Sequence, residues 1–172
     1  MKKLDILTYP NKFLAQKSVP VKNIDGDLQE TIDNMAKTMY EAKGVGLAAI
    51  QVGIDKSVLV YDIGQRDNKH ELNFLINPEI ISQEGTIISK DEGCLSVPDF
   101  KSDVQRSACI FVKGINKDGN PLEIEADGLL AIVLQHEIDH LQGKLFIERI
   151  SSLKRGLYKR RVKKNLKKLQ KE

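Results

Sequence analysis

The chain has 172 residues, of which 41% are hydrophobic and 30% charged. That length suits one domain with its own core, and the composition excludes a disordered, collagen-like or disulfide-stapled chain. The net charge is +3 but uneven: residues 151–172 carry ten basic side chains against one acid, and their +9 leaves residues 1–150 at −6. A mildly acidic body with a basic tail is not a uniformly basic nucleic-acid binder, so no dedicated DNA binding is expected. No apolar run nears the roughly 18 residues of a membrane span. The basic start, Met1-Lys2-Lys3, is followed by Asp5 and Pro10, which interrupt any export segment. A cytoplasmic chain is expected, with Cys94 and Cys109 not forming a disulfide framework.

In chain order, Tyr9-Pro10-Asn11 reads as a turn and Ser18-Val19-Pro20 as extended chain. Leu28, Ile32, Met35, Met39 and Tyr40 recur at helical spacing, which predicts a helix over 27–42 ended by Gly44 and Gly46. Leu47–Val52 reads as a short buried strand and Ser57–Ile63 as another; Gly64–Lys69 is a polar loop. Leu72–Asn77 predicts a third strand, and Glu79–Ile88 one or two more. Val104–Gly114 reads as one strand, turning at Asn116–Gly119 into a hairpin with Leu122–Ala126. Asp127 is a natural N-cap for a helix that runs through His140 and stops at Gly143. A last helix starts near Ser151, with Tyr158, Val162, Leu166 and Leu169 in one stripe. The fold class is α+β: antiparallel-rich sheets around a central helix, with a C-terminal helix.

The strongest chemical signal is His136-Glu137-Ile138-Asp139-His140. On a helix, positions i and i+4 face the same way, so both imidazoles reach one metal ion with Glu137 beside it as a general base. A catalytic site needs a third ligand, and Cys94 in Glu92-Gly93-Cys94-Leu95-Ser96 is the candidate, a thiolate suited to borderline metals. Cys109, in an apolar stretch, reads as a buried, inert thiol. His70, in the polar loop, reads as an exposed histidine. Gly44-Val45-Gly46-Leu47-Ala48-Ala49 superficially matches a dinucleotide fingerprint, but the order here is helix, glycines, strand, the reverse of what nucleotide binding needs. The glycines instead permit close approach of backbone to a ligand. Gln51 reads either as a core amide satisfied by backbone or as a hydrogen-bond donor to substrate.

Three segments together resemble the signatures of the peptide deformylase family: Gly44-Val45-Gly46-Leu47-Ala48-Ala49-Ile50-Gln51, Glu92-Gly93-Cys94-Leu95-Ser96 and Gln135-His136-Glu137-Ile138-Asp139-His140. The start, Ile6-Leu7-Thr8-Tyr9-Pro10, is also similar, and the resemblance covers about residues 1–150. It implies a metal-dependent hydrolase that removes the N-formyl group from formylmethionine on nascent peptides, releasing formate. It implies that Cys94, His136 and His140 bind one divalent metal ion with water as a fourth ligand, and that Glu137 accepts that water's proton. The family generally works with Fe2+, and Zn2+, Ni2+ or Co2+ can occupy an isolated sample. Gln51 and the Leu95 backbone N–H would stabilise the oxyanion, with Gly46 aligning the substrate backbone. Glu92 joins the substrate-binding set, and Val45, Ile132 and Val133 match pocket positions, with core packing as their other reading. Many bacterial relatives carry Arg where this chain has Lys101, which lacks the bidentate fork.

Residues 1–150 are thus expected to form the catalytic domain, and 151–172 a basic helix of that same domain. This helix either docks its apolar stripe on the body or contacts the ribosome. Arg106 is expected to pair with Asp139 and fix the helix, and the protein is expected to be a monomer. Two further readings share parts of the pattern. A metalloprotease of the H-E-x-x-H type would not need Cys94, and a metal-stabilised ribosome-binding module would have a closed site.

Overall fold

The computed structural model describes residues 1–64 and 69–170; residues 65–68 of the predicted Gly64–Lys69 loop and the last two residues of the tail lie outside the described residues. Among the described residues two α-helices and seven strands precede a terminal α-helix. Helix α1, Gly26–Glu41, starts where the Asp25 side chain accepts from the Leu28 N–H, and it buries Leu28, Ile32, Met35 and Met39 along one face. Strands β1 (Gly46–Ala48), β2 (Val58–Tyr61), β3 (Asn73–Glu84), β6 (Cys109–Ile115) and β7 (Pro121–Asp127) form an antiparallel sheet in the order β1-β2-β3-β6-β7. Strands β4 (Ile87–Cys94) and β5 (Val97–Arg106) form a separate hairpin. Helix α2 is Gly128–Leu141 and α3 is Ser152–Leu169.

The large sheet separates two cores, because alternate side chains of a strand face opposite ways. Val58 and Val60 of β2 pack with α1, whereas Leu59 and Tyr61 join the core around α2. From Val133 to Leu141 every residue of α2 is buried. A helix wrapped in protein on all sides has no solvent face for its polar residues, so each must be paired or do chemistry.

Several expectations are corrected. Of the predicted Leu47–Val52 strand only Leu47 and Ala48 are strand, as part of β1; Ala49–Val52 is a 3-10 turn, closed where Gln51 Oε1 accepts from the Ala48 N–H at 2.8 Å and followed by Gly53 at φ 74°. The strand predicted at Leu72–Asn77 and the first part of the one or two predicted over Glu79–Ile88 are a single strand, β3, whose register shifts after Ile76 and again after Ile80, while Ile87 and Ile88 begin β4. Asn77 has φ 50° and exchanges side-chain hydrogen bonds with the Val21 backbone, so the chain kinks without ending the ladder. The predicted strand 104–114 is two. The Gln135 side chain takes both the Ser107 N–H and C=O at 2.9 Å, drawing that residue out of the ladder. Asp127 does precede α2, but its side chain makes no capping bond. Cys109 is exposed rather than buried, and His70 is exposed, as expected. Of the α3 stripe, Tyr158 and Val162 pack on the core, while Leu166 and Leu169 stay exposed.

Candidate active site

Helix α2 brings His136 and His140 onto one face, with their Nε2 atoms 3.3 Å apart. The third group comes from the end of β4, where Cys94 Sγ lies 3.2 Å from His140 Nε2. All three ligand atoms lie within 4.8 Å of one another. One half-buried thiol and two buried imidazoles converging this closely fit a borderline divalent ion such as zinc or ferrous iron. Burial and the neighbouring His136 push the His140 imidazole well down, toward the neutral form that binds metals. Burial also opposes charge on His136, but Cys94, Glu92 and Glu137 around it reverse the direction and hold it up.

The sulfur is shaped by its turn. The hairpin reverses at Leu95-Ser96, so that Cys94 pairs with Val97. The Ser96 N–H donates to Cys94 Sγ at 3.4 Å, and Gln51 Nε2 approaches the same sulfur at 3.6 Å and Ser96 Oγ at 3.2 Å. The orientation of the Gln51 amide is set by the Ala48 N–H, which needs the oxygen, so the nitrogen must face Cys94. The first reading of Gln51 is met, since its oxygen satisfies backbone, and its NH2 is directed at Cys94 and Ser96.

Glu137 is 4% exposed, and its Oε2 has no hydrogen-bond partner among the described residues. Burial pushes its carboxyl up to about 7, against the pull of the positive His136 and Arg106. The backbone at Gly46 passes so close that a Cβ there would lie 2.5 Å from Glu137 Oε1. Gly44 is crowded in the same way, by the Leu95 side chain at 2.8 Å from its would-be Cβ. The glycines are expected to admit a ligand to the backbone; what they admit here is the side chains of Glu137 and Leu95.

An ionic chain backs the site. Glu92 Oε1 lies 2.7 Å from His136 Nδ1, and both Glu92 oxygens accept from Arg106. Arg106 Nη1 reaches Asp139 Oδ2 at 2.6 Å, and Arg149 grips both Asp139 oxygens. Burial pushes the Glu92 carboxyl up, but the hydrogen bonds from His136 and Arg106 outweigh it and hold it at about 2. The expected Arg106–Asp139 pair is present. Glu92 borders the cleft, but its carboxylate is committed to holding His136 and Arg106, a positioning task that its place in the Glu92–Ser96 segment did not signal. The sequence gives no sign of Arg149, which lies ten residues from Asp139 with no motif linking them, or of the part played by Ser96, although Ser96 ends the Glu92–Ser96 segment.

A cleft of about 960 Å³ opens onto these groups. Val45, Gly46, Ile132 and Val133 line it, as do Gln51, Leu95 and Glu137. Cys94 and His136 reach it as well, while His140 approaches the cluster from behind, out of the lining. Lys101 lies at the mouth, its stem against Gly93.

A buried H-E-x-x-H helix, a thiol delivered by a hairpin and a glycine-edged cleft place the chain among the α+β metallohydrolases. Residues 3–156 match the model of the polypeptide deformylase family. A peptide deformylase of Desulfosudis oleivorans is 51% identical over 164 residues, covering 95% of both chains. One of Syntrophobacter fumaroxidans is 52% identical over 164 residues, covering 95% of this chain and 96% of its own. The crystal structure of a peptide deformylase from Legionella pneumophila superposes with a TM-score of 0.88 at 43% identity, covering 99% of this chain and 98% of that one. The chain belongs to the polypeptide deformylase family.

Proposed function

We infer that this chain removes the N-formyl group from the formylmethionine that begins new proteins, releasing formate, and that Glu137 is its general base. Membership of the deformylase family makes it a hydrolase of formylated nascent peptides. The observation that supports the role of Glu137 most directly is its position. It stands between the three converging ligand side chains and the Gly46 backbone, with a carboxyl pushed up to about 7, matched to proton transfer near neutral pH.

Cys94, His136 and His140 would hold one divalent ion, Fe2+ natively, with Zn2+, Ni2+ or Co2+ able to replace it. When bound, that ion supplies Lewis acidity at the formyl oxygen and lowers the pKa of a water. Glu137 takes the proton of the attacking water and later gives it to the leaving amine, so atoms balance as formate and a free N-terminal methionine. Gln51 Nε2 and the Leu95 N–H face the charge that develops on the formyl oxygen. Val45, Ile132 and Val133 receive the methionine side chain, and Gly46 presents backbone to the peptide. Glu92 works from behind, keeping His136 oriented.

Residues 1–150 form the catalytic unit in this reading, and 151–172 its basic terminal helix, which also offers a surface to the ribosome. The protein works as a cytoplasmic monomer; among the described residues no helix is long and apolar enough to cross a membrane. Formate release from formyl-Met-Ala-Ser by anaerobically purified, metal-assayed protein tests the function. Glu137→Ala is expected to keep its metal and lose about 10²–10⁴-fold in turnover. Metal-loaded wild type without turnover, or an unimpaired variant, would reject the assignment.

A further inference from the structure

We propose that Arg161 is a positioning residue for the peptide that follows the formylmethionine: from α3 it holds the cleft rim at Asp99–Lys101 in the shape that accepts that peptide. This rests on the deformylase reading above. Pro98, Asp99, Phe100 and Lys101 all line the cleft, on the strand that leads away from Cys94. Within this rim Asp99 has φ 58°, a left-handed conformation that is uncommon outside glycine, though aspartate enters it more readily than most residues. Arg161 braces it from the terminal helix. Its Nη2 donates to the Asp99 carbonyl at 2.5 Å, which fixes the orientation of the peptide unit between Asp99 and Phe100.

The same guanidinium sits 6.0 Å from the centroid of Phe100 and 5.5 Å from that of Tyr158, within cation–π range of both rings. Tyr158 is buried and packs against Phe100 at 4.7 Å. Phe100 in turn stacks on Phe146 at 6.0 Å, and Phe146 on His136 at 6.1 Å. The terminal helix therefore does more than cover the body. One side chain of it clamps the left-handed residue of the rim, and the rings of Phe100 and Tyr158 seat that side chain. The clamp acts on the mouth of the cleft, whereas Gln51, Cys94 and Glu137 do not touch Arg161, so substrate binding beyond the first residue should be affected and the chemical step spared.

The test uses the full-length, metal-loaded protein. Arg161 is exposed, so Arg161→Ala removes no core. For formyl-Met-Ala-Ser the variant should raise KM about tenfold, the loss of one charge-assisted hydrogen bond, with kcat within about twofold of wild type. Formyl-methionine amide, which does not reach the rim, should be processed as by wild type. Calorimetric binding of the product Met-Ala-Ser, which needs no turnover, should weaken by the same factor. Arg161→Lys should recover part of the loss, since it keeps a donor but not the planar fork. Lys163→Ala, which removes the same charge from the same helix, should change nothing. Unchanged KM and product binding in Arg161→Ala, equal losses on both substrates, or the same effect from Lys163→Ala would each overturn the proposal, as would wild type that does not bind Met-Ala-Ser. Wild type that binds Met-Ala-Ser but turns over neither formyl substrate would instead bring down the deformylase reading, and the binding comparison would still decide Arg161.

Discussion

At Gly46 a single methyl group would stand 2.5 Å from Glu137 Oε1 and 2.9 Å from its Cδ. Since Glu137 is packed on a buried helix, neither side can yield freely. Gly46→Ala should therefore displace the base while leaving the ladder of β1 with β2 intact, at a cost of about 10²-fold in kcat, the penalty of a misplacement near 1 Å. Unchanged kinetics with an unchanged circular dichroism spectrum would show that Glu137 has slack. A second residue reports on pH. Burial and the hydrogen bond to Asp62 push the Tyr40 phenol up to about 12. A raised phenol stabilises the folded state fully below pH 10, where it is protonated whether folded or not, and that contribution disappears as pH rises through about 12. Tyr40→Phe should cost about 1 kcal/mol in urea unfolding at pH 8 and progressively less toward pH 12. Absorbance at 295 nm should lose its latest phenolate step. A cost independent of pH would mean that the ring and not the hydroxyl matters.

Helix α2 and the β4–β5 hairpin meet through charge as well as through the ligand cluster. Arg106 is 3% exposed and lies between Glu92 and Asp139, which it serves at once. Removing it strands two buried carboxylates, each left with a partial partner, His136 for one and Arg149 for the other. Arg106→Ala should thus destabilise by about 3–5 kcal/mol, and Glu92, which Arg106 helps keep at about 2, should titrate higher. Depressed as it is, Glu92 contributes stability above its ordinary carboxylate range that is lost as pH falls through about 2, and in the variant that loss should begin at higher pH. Equal stability of variant and wild type in urea would refute this account of the helix anchor. Elements of this kind were unevenly legible. His136 and His140 could be placed because i and i+4 is a local rule, and the α1 stripe likewise. The break at Ser107 and the fusion of β3 were not legible, because Gln135 and Val21 act across 28 and 56 residues to decide them. Cys94 could be picked out by its chemistry and motif, but nothing near it announced that Glu92, two residues before, would hold His136.

Across the whole molecule, the candidate metal ligands join parts that lie far apart in sequence, Cys94 and His140 being 46 residues apart. Cys94 belongs to the small hairpin and His136 and His140 to the helix buried against the large sheet, so one ion held by all three would tie the two sheets together. Binding to the folded form alone stabilises it by mass action, by about 2.7 kcal/mol at free metal one hundred times Kd. In a chain of this size that corresponds to about 5–10 °C in Tm. Chelation under anaerobic conditions should lower Tm by that amount, and added metal should restore it. Glu137→Ala should keep the full shift, because its carboxyl is not among the converging ligand atoms. Cys94→Ala should lose most of the shift, because two imidazoles on one helix no longer span the two sheets. A chelator shift that survives in Cys94→Ala would place the stabilising ion elsewhere. A shift lost in both variants would make Glu137 a ligand and remove it from the role of base.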